Sequence, residues 1–319
     1  MTTAAAGPVL ALSGGVGGAK LCLGLSDCLP AERLHIACNT GDDFQHLGLT
    51  ICPDIDTVLY TLSGRNDTAR GWGLAGETWE VLQGLQALEA DTWFRLGDRD
   101  LATHLWRAGE LARGRSLSAV TTELARRLGV RAQVYPMSDD PVPTLVHTDA
   151  GELAFQEYFV REQCRPRVSG FRFRGIDAAR LQPSLATLCR SADLAGVIIC
   201  PSNPFVSIDP ILRLDNFWQT LRQCNTRVVA VAPIVAGQAL KGPAAKMMAE
   251  LGMPVTACGV AEHYAHHYPG LVTTFVIDHS DATLAPEIEA LGMEVQVRST
   301  VMQERASKQA LAKTCLELL

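Results

Sequence analysis

Ser13-Gly14-Gly15-Val16-Gly17-Gly18-Ala19-Lys20 is the first stretch of this chain whose residue types could do chemistry. It follows the apolar run Val9–Leu12 and precedes a helical pattern, LCLGLSDCL. A glycine-rich turn between a strand and a helix lets backbone N–H groups approach a phosphate closely. The helix N-terminus adds partial positive charge there, and Lys20 adds a full one. Neither standard phosphate motif is met. A P-loop needs Gly directly before its Lys and Ser or Thr after it, where this chain has Ala19 and Leu21. The dinucleotide fingerprint needs a small residue where Lys20 stands. A tight turn without a ligand is the alternative reading. The location favours an anion, which makes Gly14, Gly15, Gly17 and Lys20 candidate phosphate contacts.

Acids crowd the neighbouring loops. Asn39-Thr40-Gly41-Asp42-Asp43 follows the second apolar run, and Cys52-Pro53-Asp54-Ile55-Asp56-Thr57 leads into VLYTL. Bare carboxylates repel a diphosphate. The conflict is relieved if some of them hold Mg²⁺, which bridges carboxylate and phosphate oxygens, or if some bind a ligand hydroxyl. Asp43, Asp54 and Asp56 are the candidate metal ligands, with Asp54 and Asp43 the candidates for the chemistry itself. Helix capping is the competing explanation, since Pro53 suits a first helical position and acids in a first turn offset the macrodipole.

Further polar loops could complete a site. In Gly97-Asp98-Arg99-Asp100, Asp98 could cap a helix, or Arg99 could be a fixed guanidinium for a phosphate or carbonyl. Ser202 and Asn203 follow the strand-like GVIIC, where they could read a base or a phosphate. Lys241-Gly242-Pro243 resembles a second anion-binding helix start. Ser138-Asp139-Asp140-Pro141 reads as a turn. His263, His266 and His267 share a helix-like stretch that is read as a helix face in preference to a metal site. No Gly-x-Ser-x-Gly or other covalent-nucleophile pattern is present.

These loops need elements to position them. Val9–Leu12, Leu34–Cys38, Gly196–Cys200, Arg227–Ala232 and Thr273–Ile277 read as strands alternating with helical patterns. That alternation is the mark of an α/β fold with a mostly parallel sheet, whose ligands bind at the carboxyl ends of the strands. Glu77–Ala90 and Ser116–Leu128 read as helices, and residues 134–173 as short strands and turns. The expected organisation is one core over residues 1–319, with a smaller α+β cap inserted at about 66–184.

The chain has 319 residues, 47% hydrophobic, and a net charge of -6, which argues against a nucleic-acid surface. The opening MTTAAAGPVLAL reads as no signal peptide, and no apolar run approaches membrane-spanning length. Ten cysteines occur without a C-x-x-C pair, which suits small buried hydrophobes in a reducing compartment. A cytoplasmic location is expected.

Taken in order, SGGVGGAKL, NTGDD, CPDIDTVLYTLSG, RGWG with ETW, RLGDRDLATH, YPMSDDPVPT, ICPSNPFVSI, KGPAAKMM and GVAEHY resemble the 2-phospho-L-lactate transferase family of coenzyme F420 biosynthesis. The likeness runs from Ser13 to Tyr264. It implies a Rossmann-like three-layer core, a homodimer, and an Mg²⁺-dependent reaction. In that reaction a phospho-acid group passes from a guanosine-diphosphate-linked donor to the deazaflavin alcohol FO, and GMP leaves. The acid is lactyl, enolpyruvyl or glyceryl, and the product is coenzyme F420-0 or a dehydro form. The resemblance implies FO contacts at Asp54 and Arg99. It sets the glycine turn and Lys20 facing the donor phosphates, with Ser202, Asn203 and Lys241 as partners. Two rivals stand beside it: a non-catalytic nucleotide-sugar-binding regulator of the gluconeogenesis-factor type with the same core, and an NAD-dependent dehydrogenase. GDRD and MSDDPV favour the transferase over the first. Lys20 and the crowd of acids weigh against the second.

Overall fold

The run Val9–Ser13 is buried at every residue, as a parallel strand covered on both faces must be. In the computed structural model, which describes residues 7–319 apart from 225 and 240, it is an inner strand of a seven-stranded sheet. The strands are β1 (Val9–Ser13), β2 (Leu34–Cys38), β3 (Gln133–Pro136), β4 (Gly196–Ile199), β5 (Val228–Val231), β6 (Thr274–Ile277) and β7 (Glu294–Val297). Their order is β7-β6-β5-β4-β1-β2-β3, and every pairing is parallel. The chain therefore winds one way from β1 to β3 and the other way from β4 to β7. This is the doubly wound arrangement, and its reversal point opens a crevice between the carboxyl ends of β1 and β4.

Alternate side chains of β1 supply the two faces. Val9 and Ala11 join Leu21 and Leu25 of α1 (Gly15–Cys28) and Ile55 and Leu59 of α2 (Pro53–Leu62) in one apolar cluster. Leu10 and Leu12 join Val197, Ile199 and Phe205 in the other. The period of two along a strand dictates this division.

All five strands expected from sequence lie in this sheet. β7 was not anticipated, and β3 opens the 134–173 stretch read as short strands of the cap, not as part of this sheet. Both are edge strands, and Gln133, Glu294 and Gln296 interrupt their apolar runs. An edge is covered on one side only, so its sequence loses the continuous hydrophobicity that marks β1 or β5. The cap expected over 66–184 is accordingly divided. Helices at Glu80–Ala87, Asp98–Ala112 and Leu117–Leu128 precede β3. A three-stranded antiparallel sheet of Gly151–Ala154, Thr144–Thr148 and Val168–Phe173 follows it.

Side chains from the distinctive polar segments pin this region down. The Glu77 carboxylate accepts the Arg99 and Asp100 amides at 2.7 and 2.9 Å, and so caps the Asp98–Ala112 helix. Asp98 in turn accepts the Glu80 and Val81 amides at 3.0 and 3.1 Å, and so caps the Glu80–Ala87 helix. Each satisfies helix-start N–H groups that have no intrahelical acceptor. Asp139 accepts the Ser118 amide at 2.6 Å and Asp140 the Arg180 amide at 2.9 Å. The GDRD and MSDDPV acids thus do much of their work as clamps between segments.

Candidate active site

β1 enters α1 through Gly14 and Gly15, and Gly15 has φ +63°, a conformation that favours glycine. A Cβ on Gly17 would lie 2.2 Å from the Pro201 carbonyl oxygen, and one on Gly14 would lie 2.5 Å from Ser207 Cβ. The glycines let α1 seat directly against the loop that follows β4. Ser202 fastens the two together. Its hydroxyl accepts from the Gly14 amide at 3.1 Å and donates to the Gly14 carbonyl at 2.8 Å. Gly17→Ala should lever this loop away, costing about 1–3 kcal/mol of stability by overpacking and weakening nucleotide binding. Urea unfolding with a nucleotide titration checks this, and an unchanged midpoint with unchanged affinity would refute it.

Asp54 stands at the crossing of two helices. It lies in the first turn of α2, behind Pro53, and its Oδ1 accepts from the Gly15 amide at 2.6 Å. One carboxylate therefore faces the positive ends of both α1 and α2. Beside it is Asn39, fully buried at the end of β2. The Asn39 amide nitrogen lies 2.9 Å from Asp54 Oδ2, 3.0 Å from Asp42 Oδ1 and 3.1 Å from the Val206 carbonyl oxygen. Asn39 holds two buried acids side by side. Burial raises the Asp54 carboxyl to about 6, against the pull of its bonds to Asn39 and Gly15. Burial, and then the charge of Asp54, push Asp42 well above the usual carboxylate range. Two such acids cannot both stay ionised and unpaired, so the site calls for a proton or a cation.

The structure separates the other acids from this pair. Asp56 faces away, with both carboxylate oxygens on the Arg107 guanidinium, and Arg107 is 1% exposed. Asp43 sits beside Cys52 and Arg107, and burial raises its carboxyl strongly. Neither lines the cleft described below. Arg99 also lies outside that cleft; its guanidinium donates to the Ala75 carbonyl at 2.9 Å. Among the described residues no three His, Cys, Asp or Glu side chains gather as a metal cage. A cation here would rest on Asp42 and Asp54 and take its remaining ligands from substrate and water, the usual arrangement for Mg²⁺. The Asp209 carboxylate accepts from His263 Nε2 at 2.9 Å and from the Tyr268 hydroxyl at 2.8 Å, a buried group that suits a helix face packed on the core.

A cleft of about 540 Å³ opens over the acid pair. Gly14, Gly15, Gly17, Lys20, Asp42, Asp54, Ser202, Asn203 and Lys241 all line it, so the sequence-predicted phosphate contacts do converge. Asn203 spends its side-chain oxygen on the Phe205 and Val206 amides, at 3.0 and 3.4 Å, and so shapes the loop. Five aromatic residues, Trp72, Trp93, Phe94, Phe155 and Phe159, line it too. Phe155 and Phe159 stack with ring centroids 5.6 Å apart. Sequence reasoning placed Asp42 among the crowded acids without giving it a role, and missed Asn39 and these rings. The Asn39-x-Gly41 turn, in which the Gly41 amide bonds Asn39 Oδ1 at 2.8 Å, was a local signal for Asn39. RGWG marked Trp72 as part of a motif without giving it a task.

A family model described as 2-phospho-L-lactate transferase CofD matches residues 9–314. The chain belongs to the CofD family. It is 37% identical over 315 residues to a phosphoenolpyruvate transferase of Streptomyces griseus, covering 97% of this chain and 98% of that protein. It is 34% identical over 309 residues to a 2-phospho-L-lactate transferase of Methanosarcina mazei, covering 97% and 99%. Among solved structures, a UPF0052-family protein of Bacillus halodurans superposes with a TM-score of 0.66 over 97% of this chain and 98% of that one. At 16% identity that likeness speaks to the fold alone. Among the described residues of this CofD-family chain, no helix is long and apolar enough to cross a membrane.

Proposed function

We infer that this protein transfers a phospho-acid group from a guanosine-diphosphate-linked donor to the hydroxyl of the deazaflavin FO, releasing GMP and forming coenzyme F420-0 or its dehydro form. The observation that carries this reading is the buried Asp42–Asp54 pair, in a cleft that five aromatic residues and two lysines also line. Phosphoryl transfer asks mainly for positioning and neutralised charge. The aromatic lining suits a planar tricyclic acceptor, Lys20 and Lys241 suit donor phosphates, and the acid pair suits the reacting hydroxyl. A protein that only binds a nucleotide gains nothing from two buried carboxylates, which are costly to keep.

The FO hydroxyl oxygen attacks the phosphorus that carries the acid, and the bond from that phosphorus to the GMP oxygen breaks. Asp54 Oδ2 orients the hydroxyl and receives its proton, held in place by Asn39. Lys20 and Lys241 balance the charge gathering on the departing phosphate. Mg²⁺ on Asp42 and Asp54 would supply charge neutralisation between carboxylate and phosphate oxygens.

The test is to incubate the protein with FO, Mg²⁺ and, in turn, the lactyl, enolpyruvyl and glyceryl guanylyl donors, with products identified by mass. One donor should give a phosphodiester product with one GMP per turnover. Absence of product from all three would sink the assignment. The relatives carry both phospholactate and phosphoenolpyruvate names, and these acids differ by few atoms, so the assay also decides which acid is used.

A further inference from the structure

The loop after β4 carries a polar group that the chemistry above does not use. Pro204–Ile208 forms a π-helical turn that opens at Asn203. Such turns are rare and are enriched at functional sites. This one meets the acid pair at two places. Its Val206 carbonyl accepts from Asn39, the residue that holds Asp42 and Asp54 together. The next residue, Ser207, is 5% exposed and lines the cleft. The Ser207 amide bonds the Asn203 carbonyl at 3.1 Å, whereas its hydroxyl bonds no described residue. The Ser13 and Thr40 hydroxyls are unbonded too, but they are fully enclosed and the Ser207 oxygen is not.

Gly14 fixes where that oxygen lies. The point at which a Gly14 Cβ would stand is 2.9 Å from Ser207 Oγ and 2.7 Å from Asp54 Oδ2. The two oxygens therefore flank one face of the glycine turn. A buried hydroxyl left without a partner costs about 1–3 kcal/mol, so its place beside Asp54 needs a reason. Asp54 does not need it, because Asn39 and the Gly15 amide already donate to that carboxylate. A serine hydroxyl is a neutral donor. It can stabilise negative charge on a substrate without the ion-pair demands of a buried cation.

We propose that Ser207 is a catalytic residue, its hydroxyl donating to a non-bridging oxygen of the phosphorus that carries the acid. The proposal rests on the transfer reading above for the identity of that phosphorus. The FO hydroxyl that meets Asp54 Oδ2 is also the atom that bonds the phosphorus, which sets the phosphoryl oxygens beside Ser207. Those oxygens carry the charge that the transition state spreads over them. Ser207 forms no covalent bond and passes on no proton. The FO proton goes to Asp54, and the electron pair of the breaking bond leaves with GMP.

The experiment compares wild type with Ser207→Ala and Ser207→Cys. Transfer is measured with the accepted guanylyl donor and with its two phosphorothioate diastereomers, in which sulfur replaces one or the other non-bridging oxygen on that phosphorus. Ser207→Ala should lower kcat about 10²-fold, as the loss of one preorganised donor does. FO affinity, read by fluorescence, should hold, and the urea midpoint should hold or rise, since an unpaired buried hydroxyl is removed. Ser207→Cys should fall between, because a thiol is a weaker donor. Sulfur accepts a hydrogen bond poorly, so one diastereomer should be slowed in wild type. That penalty should shrink in Ser207→Ala while the other diastereomer's holds. An unchanged kcat, or a loss that leaves both sulfur penalties at their wild-type size, overturns the role. Orthovanadate binding with GMP, FO and Mg²⁺ present needs no turnover, and should weaken about tenfold in Ser207→Ala. If wild type turns over no donor, the transfer reading falls and vanadate decides. Weaker binding in Ser207→Ala keeps Ser207 as an oxyanion donor, and equal or absent binding removes it.

Discussion

Asp54→Asn should lower turnover about 10²–10⁴-fold while the protein stays folded, the range expected when a positioned acid–base group is removed. The fold survives because two effects oppose each other. With its oxygen kept on the Gly15 amide, the new amide turns its NH2 group toward the Asn39 NH2 group, which is left with Asp42 and the Val206 carbonyl, so one buried N–H group goes unpaired. That costs about 1–3 kcal/mol. Against this, the repulsion that raises Asp42 disappears. Circular dichroism and urea unfolding should therefore show a protein close to wild type, and product formation should collapse. Near-normal turnover by the folded variant would remove Asp54 from the mechanism. Mg²⁺ binding supplies an independent reading. With the metal-free Asp54 carboxyl raised to about 6, protons and cation compete for the same oxygens below that pH. Affinity should fall as pH drops, with Asp54 contributing a step near 6 and Asp42, whose carboxyl is also raised, a further loss, and Asp54→Asn should remove the step near 6.

Arg107→Ala should destabilise the protein by about 3–5 kcal/mol, the cost of stranding one member of a buried ion pair. Arg107 is the largest fully buried side chain, and beyond Asp56 its Nη1 reaches the Thr50 carbonyl at 3.3 Å and His104 Nδ1 at 3.1 Å. Burial works against its charge, and Asp56 more than offsets that, holding its proton more tightly than usual. Truncation leaves Asp56 and Asp43 without their cation beneath α2, the helix that carries Asp54. Urea unfolding of Arg107→Ala measures the loss. A double variant, Arg107→Met with Asp56→Leu, should recover much of it, because an apolar pair of similar volume needs no counter-charge. A loss below about 1 kcal/mol for the single variant would show that the pair contributes little.

The helix start explains both why Asp54 and Asp56 looked alike in sequence and why they differ. Each is an acid in the first turn of α2, and either could serve capping, metal or substrate. Two residues along a helix is about 200° of rotation, so the pair must face opposite ways. Which one faces the crevice depends on where α1 and the Asp98–Ala112 helix pack. The same holds for Asp42 and Asp43, neighbours in a loop, of which Asn39 draws only Asp42 into the cleft. Arg99 could be read from its motif as a ligand contact; in the fold the cap that Glu77 places on its amide leaves the side chain outside the cleft.

The sequence by itself determined the buried parallel strands, the glycine turn and the order of loops at the strand ends, because continuous apolar runs and residues that tolerate close approach are local properties. It also carried the family, since the motifs are legible one after another along the chain. Tertiary structure decided which acids meet, that Arg107 claims Asp56, and that Ser207 comes to stand beside Asp54. Those outcomes rest on burial and charge pairing between segments up to 153 residues apart, from Asp54 to Ser207, and no local pattern encodes them.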